Sequence, residues 1–201
     1  MNINGYGFMR VAACSPQVRV AQCDYNVEQI KLCIDDAISK KVQLLVLPEL
    51  SITSVSCGDL FYQESLQHKA VESLYNLVDY IKNKPSIMVA VGMPLRIDSL
   101  LFNVAAIISA DGIVGFVPKS DVAGSKWFSS IGDLPASVIM LGGKPIAIGN
   151  IIVKTPQANI AFEIGSDALL PVSPGAVYSV HGADIICNLL ALASEIGAWA
   201  K

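Results

Sequence analysis

The sequence predicts a layered α/β fold in a single domain, residues 1–201, on three observations. Apolar runs of strand length alternate with amphipathic stretches of helix length through the first half of the chain. Hydrophobic residues make up 53% of the chain and charged ones 15%, which suits sheets buried on both faces and some apolar surface that something else covers. Residues able to do chemistry sit just past the ends of the apolar runs, where α/β sheets present their sites.

Taken in order, Phe8 to Cys14 is a short apolar strand. Asp24 to Lys41 carries Val27, Ile30, Ile34, Ala37 and Ile38 at helical spacing. Asp24 or Asn26 can cap its start, and Lys40 and Lys41 suit the negative end of its dipole. Gln43 to Leu47 is a continuous apolar run, hence a buried strand, and it ends at Pro48-Glu49. A second amphipathic helix runs from about Leu60 to Lys82, with Leu66, Ala70, Leu74, Leu77, Val78 and Ile81 facing inward, and Ser86 to Gly92 follows as another buried strand. Leu101 to Ser109 and Ile113 to Val117 form a hairpin through Ala110-Asp111-Gly112, and its second strand delivers Pro118-Lys119. Further strands are expected at Pro145 to Val153, Gln157 to Ile164 and Asp184 to Leu190, with a helix near Ala176 to His181. Gly132 to Gly143 is the loosest stretch and reads as a surface excursion.

Several functions are disfavoured. A formal charge of −3 with scattered Lys and Arg offers no basic stripe for nucleic acid. The longest uncharged stretch, Ala168 to Ala183, contains Pro171, Pro174, Gly175 and His181, which argues against a membrane span. The N-terminus lacks the basic-then-apolar order of a signal peptide, so the chain reads as cytoplasmic. The five cysteines, Cys14, Cys23, Cys33, Cys57 and Cys187, show neither CxxC nor Cys/His metal spacing and read as buried free thiols, with no metal and no cofactor implied. His68 lies on a solvated helix face and His181 follows a helix as a cap. Gly142-Gly143-Lys144 lacks the strand and helix that would frame a phosphate loop.

Three strand ends remain. Glu49, Lys119 and the segment Glu163-Ile164-Gly165-Ser166-Asp167 place a carboxylate, an ammonium and a sharp turn at equivalent positions. Cleaving an unactivated amide at neutral pH needs a strong nucleophile, a proton carrier and fixed positive charge for the developing oxyanion. The layout supplies the last two.

In combination, Arg10-Val11-Ala12-Ala13-Cys14, Leu45-Val46-Leu47-Pro48-Glu49-Leu50-Ser51, Cys57-Gly58-Asp59-Leu60-Phe61, Val91-Gly92-Met93-Pro94-Leu95, Asn103-Val104-Ala105-Ala106, Val117-Pro118-Lys119 and Trp127-Phe128 resemble the nitrilase (carbon-nitrogen hydrolase) superfamily. The resemblance spans roughly residues 6 to 198 and is narrower to the glutaminase domain of glutamine-dependent NAD synthetases. It implies an αββα sandwich and a Glu-Lys-Cys triad that attacks a glutamine side-chain amide and releases ammonia. Glu49 matches the general base, Lys119 the oxyanion partner and Gly165 the nucleophile's position, with Glu163, Ser166 and Asp167 as expected substrate-binding neighbours.

Three departures follow from the resemblance. The family pattern Glu-Ile-Cys-Glu-Asp stands here as Glu163-Ile164-Gly165-Ser166-Asp167, which keeps the turn and removes the sulfur. Only seven residues, Ser120 to Lys126, separate Lys119 from Trp127-Phe128, so the family's additional pocket glutamate has no counterpart, and Asp121 is too loosely placed to replace it. The chain ends at Ala193 to Lys201 where the family continues, so the sandwich is expected to be C-terminally truncated and to lack the synthetase domain. Two function classes remain. One is an amide hydrolase of glutaminase type, feeding a synthetase domain or partner chain but inactivated at Gly165. The other is a non-catalytic relative that binds a small amide or a partner. The resemblance also implies a homo-oligomer.

Overall fold

The computed structural model describes residues 8–191, so the Ala193–Lys201 stretch lies outside the described residues. Among the described residues, ten strands form two sheets in four layers with three α-helices. The chain order is β1 (Val11–Ala13), α1 (Cys23–Ser39), β2 (Leu44–Val46), α2 (Glu64–Ile81), β3 (Met88–Ile97), β4 (Leu100–Ser109), β5 (Gly112–Pro118), β6 (Val138–Leu141), β7 (Lys144–Ile148), β8 (Ile152–Lys154), β9 (Asn159–Ile164), α3 (Pro174–Val180) and β10 (Ile185–Leu189). The large sheet has the order β1-β2-β3-β4-β5-β7-β6 and the small one β10-β9-β8. Strands β1, β2 and β3 run parallel, as do β5 with β7 and β9 with β10.

Side-chain alternation explains the layering. Along β4, Phe102, Val104, Ala106 and Ile108 join Val27, Ile30, Ile34 and Leu74 on the helix side. Ala105 and Ile107, pointing the other way, join Ile160, Phe162, Ile164 and Leu189 of the small sheet. A strand covered on both faces has no use for polar alternation, hence the unbroken apolar runs. Helix α3 covers the other face of the small sheet, where Glu163 meets the amide of Gly175. The layers are therefore α, β, β, α.

Several boundaries differ from expectation. β1 is three residues, shorter than Phe8–Cys14. The N-cap of α1 is Gln22, with no side-chain cap. Asp24 pairs with Lys69 instead, at 2.8 Å. Buried Asn26 bonds the backbone of Arg19 and Ile52, fixing the loop that follows Glu49. Val55–Tyr62 is a 3-10 segment ahead of α2. The expected strand Pro145–Val153 is two strands in different sheets, because the chain turns at Gly149 with φ 134°. The expected excursion Gly132–Gly143 contains β6, an edge strand that turns back through Gly142 and Gly143, both at positive φ.

One close approach positions the site. A Cβ on Gly92 of β3 would lie 2.5 Å from the Pro48 carbonyl and collide with the Leu50 amide, so the Pro48–Leu50 backbone rests directly on the strand. Backbone cannot yield as a side chain can. Gly92→Ala is expected to destabilise the protein by more than about 3 kcal/mol, or to abolish soluble expression, as read by urea denaturation.

Candidate functional site

The β2 strand ends into Pro48-Glu49, β5 ends into Lys119, and β9 ends into Gly165. These three ends meet. Lys119 Nζ lies 2.9 Å from Glu49 Oε1, with both side chains largely withdrawn from solvent at 15% and 7% exposure. Gly165 has φ 57°, a left-handed conformation that favours glycine. A Cβ built on it would sit 2.6 Å from Glu49 Oε2 and 2.6 Å from Lys119 Nζ. Position 165 is therefore directly against both charged ends.

The other expected site residues are arranged differently. Glu163 is buried and its Oε2 accepts the Gly175 amide at 2.9 Å, at the start of α3. Asp167 is also buried and accepts the amides of Ser120 and Asp121 at 2.9 and 2.7 Å. This ties the loop after Lys119 to the elbow. Burial pushes the Asp167 carboxyl above its ordinary range, against the lowering effect of those amides and of Lys119. Both carboxylates are thus engaged by backbone. Ser166 is half-buried beside the elbow, and Asp121 turns its carboxylate to the Ala123 amide.

Two residues not singled out from the sequence as site residues belong to this constellation. Asn103, 3% exposed in the middle of β4, donates from Nδ2 to Glu49 Oε1 at 2.6 Å. Its signal was a lone amide within the apolar run Leu101–Ser109. Asn188 of β10 donates from Nδ2 to the Gly165 carbonyl at 3.1 Å and lines a cavity of about 330 Å³ with Cys14, Ser15, Val46 and Pro48. Further out, Phe61 packs on Phe128 at 4.9 Å between ring centres, and Trp127 donates to Asp59 at 2.9 Å. These contacts join two of the segments whose sequences stood out.

Chemically, the cluster offers a carboxylate held beside an ammonium, with one carboxylate oxygen facing a backbone position that carries no side chain. Cys14 lines the cavity beside Asn188, and the other four cysteines are poor nucleophiles. All five are free. Burial pushes Cys23 and Cys187 up to about 11 and Cys33 up to about 12, and it raises Cys57 as well. Contrary to the expectation of five buried thiols, Cys14 and Cys33 are only half-buried. His68 is exposed, and His181 caps α3 through Nδ1 and the Val177 carbonyl, 2.8 Å apart. Among the described residues no group of acidic, His and Cys side chains could hold a metal ion, and no helix is long and apolar enough to cross a membrane.

Two outcomes are expected from this geometry. Gly165→Ala should lower stability by about 1–3 kcal/mol in urea denaturation, since it adds left-handed strain and crowds a buried ion pair. At pH 8, Cys23 and Cys187 should react with iodoacetamide about 100-fold more slowly in the native protein than in denaturant, as followed by peptide mass spectrometry.

Residues 10–200 match the carbon-nitrogen hydrolase family. The glutamine-dependent NAD(+) synthetase of Mycobacterium tuberculosis is 29% identical over 205 aligned residues, which cover 96% of this chain and 30% of that protein. The enzyme of the same name from Dictyostelium discoideum is 25% identical over 178 residues, covering 81% of this chain and 25% of its own length. The chain thus spans under a third of the curated relatives it matches. Among solved structures, a glutamine-dependent NAD(+) synthetase from Cytophaga hutchinsonii superposes with a TM-score of 0.83 at 23% identity, covering 96% of this chain and 32% of that one. An amidase from Nesterenkonia sp. gives 0.76 at 16% identity, covering 95% and 68%. Those likenesses share the sandwich found here, and the sequence match across nearly all of its length shows that this chain belongs to the carbon-nitrogen hydrolase family.

Proposed function

We propose that the chain carries a glutaminase-type amide site in which glycine fills the nucleophile's position. It binds a small primary amide, such as the glutamine side chain, without hydrolysing it at a useful rate. The observation that carries this is the double contact at position 165, where a Cβ would touch both Glu49 Oε2 and Lys119 Nζ. A nucleophile there would have a base and a cation at its side, and glycine supplies none. Ser166 is one residue further along the turn and half-buried, and the position flanked by both charged tips is 165. Water activated by Glu49 would be slower by orders of magnitude, because it lacks a covalent, oriented attack.

The names of the relatives support a place beside an ammonia-accepting synthetase domain, in the same chain or in a partner. Five free thiols support a cytoplasmic setting. A second reading, a partner-binding relative or homo-oligomer, is supported by apolar side chains around α3. Leu169, Val172 and Val180 are 79%, 71% and 86% exposed.

The unmodified chain is expected to release ammonia from glutamine at the uncatalysed rate. Gly165→Cys is expected to raise release at least about 100-fold, once the flexible ends of Glu49 and Lys119 give way to the new side chain, and Glu49→Gln in that background should remove the gain. An acyl adduct trapped on the unmodified chain, or turnover indifferent to both substitutions, would refute the inactive reading.

A further inference from the structure

Glu49 faces two directions at once. Its Oε1 accepts from Asn103 Nδ2 at 2.6 Å and from Lys119 Nζ at 2.9 Å, while Oε2 lies 2.6 Å from where a side chain at 165 would begin. Only a donor can sit on Oε1, so the orientation of the Asn103 amide is set by its partner. The same residue also holds the other half of the pair, since its backbone carbonyl accepts the Lys119 amide at 2.8 Å. Asn103 is 3% exposed and projects from β4 toward the small sheet, on the same face as Ala105 and Ile107. Nothing about β4 as a strand requires an amide there. An apolar residue would fill the position without burying a polar group.

We infer, on the glutaminase-type reading of this site, that Asn103 is a positioning residue: it fixes Glu49 Oε1 by hydrogen bonding, so that Oε2 is presented to the nucleophile's position. It touches neither substrate nor the reacting atoms. It acts through the carboxylate, whose rotation about its terminal bond would otherwise be restrained by Lys119 alone. A single charge-assisted hydrogen bond of this length is strong enough to hold that rotation. Displacement of such a group by about 1 Å is enough to lower a rate severely.

The test measures coupling, which a packing role would not produce. In Gly165→Cys, the introduced thiol is alkylated with iodoacetamide across pH 6 to 9, and its rate is read by peptide mass spectrometry with Cys187 as an internal reference. Glu49→Gln removes a negative charge from beside the thiol and leaves Lys119 there, so it is expected to raise the rate at pH 7 about tenfold and to move the pH profile downward, and Asn103→Leu, which lets the carboxylate turn away, is expected to move both the same way. The two together should shift them no further than the larger effect alone, because both remove one function. Shifts that add, or an equal change at Cys187, would overturn the assignment. Coupling without ammonia release from Gly165→Cys would support the positioning role while counting against the glutaminase reading. Should the introduced cysteine prevent folding, crystal structures of the unmodified chain and of Asn103→Leu decide the matter. The Glu49 carboxylate is expected to turn away from Gly165 in the variant, and an unmoved carboxylate would sink the proposal.

Discussion

A buried ion pair at the junction of two sheets is the interaction on which this end of the molecule depends. Withdrawing a carboxylate and an ammonium from water costs several kcal/mol each, and their attraction repays that only with good geometry and further hydrogen bonds. Glu49 and Lys119 have both. The pair closes at 2.9 Å, Asn103 adds a second donor to the same carboxylate oxygen, and the Lys119 amide is tied to the Asn103 carbonyl. The surrounding chain is then fixed by what it must bring to that point. Asn26 holds the loop after Glu49 through the Ile52 carbonyl, and Asp167 holds the loop after Lys119 through two amides.

Two glycines allow the backbones to come this close. At Gly92 the neighbour is main chain, so any side chain is excluded by rigid atoms. At Gly165 the neighbours are the tips of Glu49 and Lys119, which can move. The distinction separates a structural glycine from one that leaves chemistry open. Gly92 sets where Glu49 stands, whereas Gly165 sets what Glu49 can act on.

The strands that are buried on both faces were legible because such burial removes the polar half of the pattern, leaving runs such as Leu44–Val46 and Leu101–Ile108. The three strand ends of the site were legible for the same reason, since each run stops at a residue of contrasting chemistry. Failures came where a local signal had two meanings. Gly149 inside an apolar stretch reads as a weak spot in one strand, but it is where the chain leaves one sheet for the other. The backbone partners of the acids at a strand end were not legible either: Glu163 Oε2 and both Asp167 oxygens accept backbone amides, a demand set by tertiary neighbours that no sequence window contains. Asn103 was hidden by its setting, because one amide among the seven apolar residues of Leu101–Ile108 carries no period of its own.

Folding stability gives no reason to keep this arrangement. A buried ion pair is often replaceable by well-packed apolar residues at no loss of stability. Here the pair, its amide clamp and a left-handed glycine all converge on one backbone position, and each is unfavourable or at best neutral taken alone. Loss of the nucleophile alone would leave the charged tips in place, since each has its own hydrogen bonds and neither depends on a side chain at 165. On the proposed reading such a site would still have the polarity to receive an amide, with Lys119 toward its oxygen and Glu49 toward its nitrogen, without the means to break it. On that reading, binding without turnover is what this frame would support with glycine in place of a thiol-bearing residue.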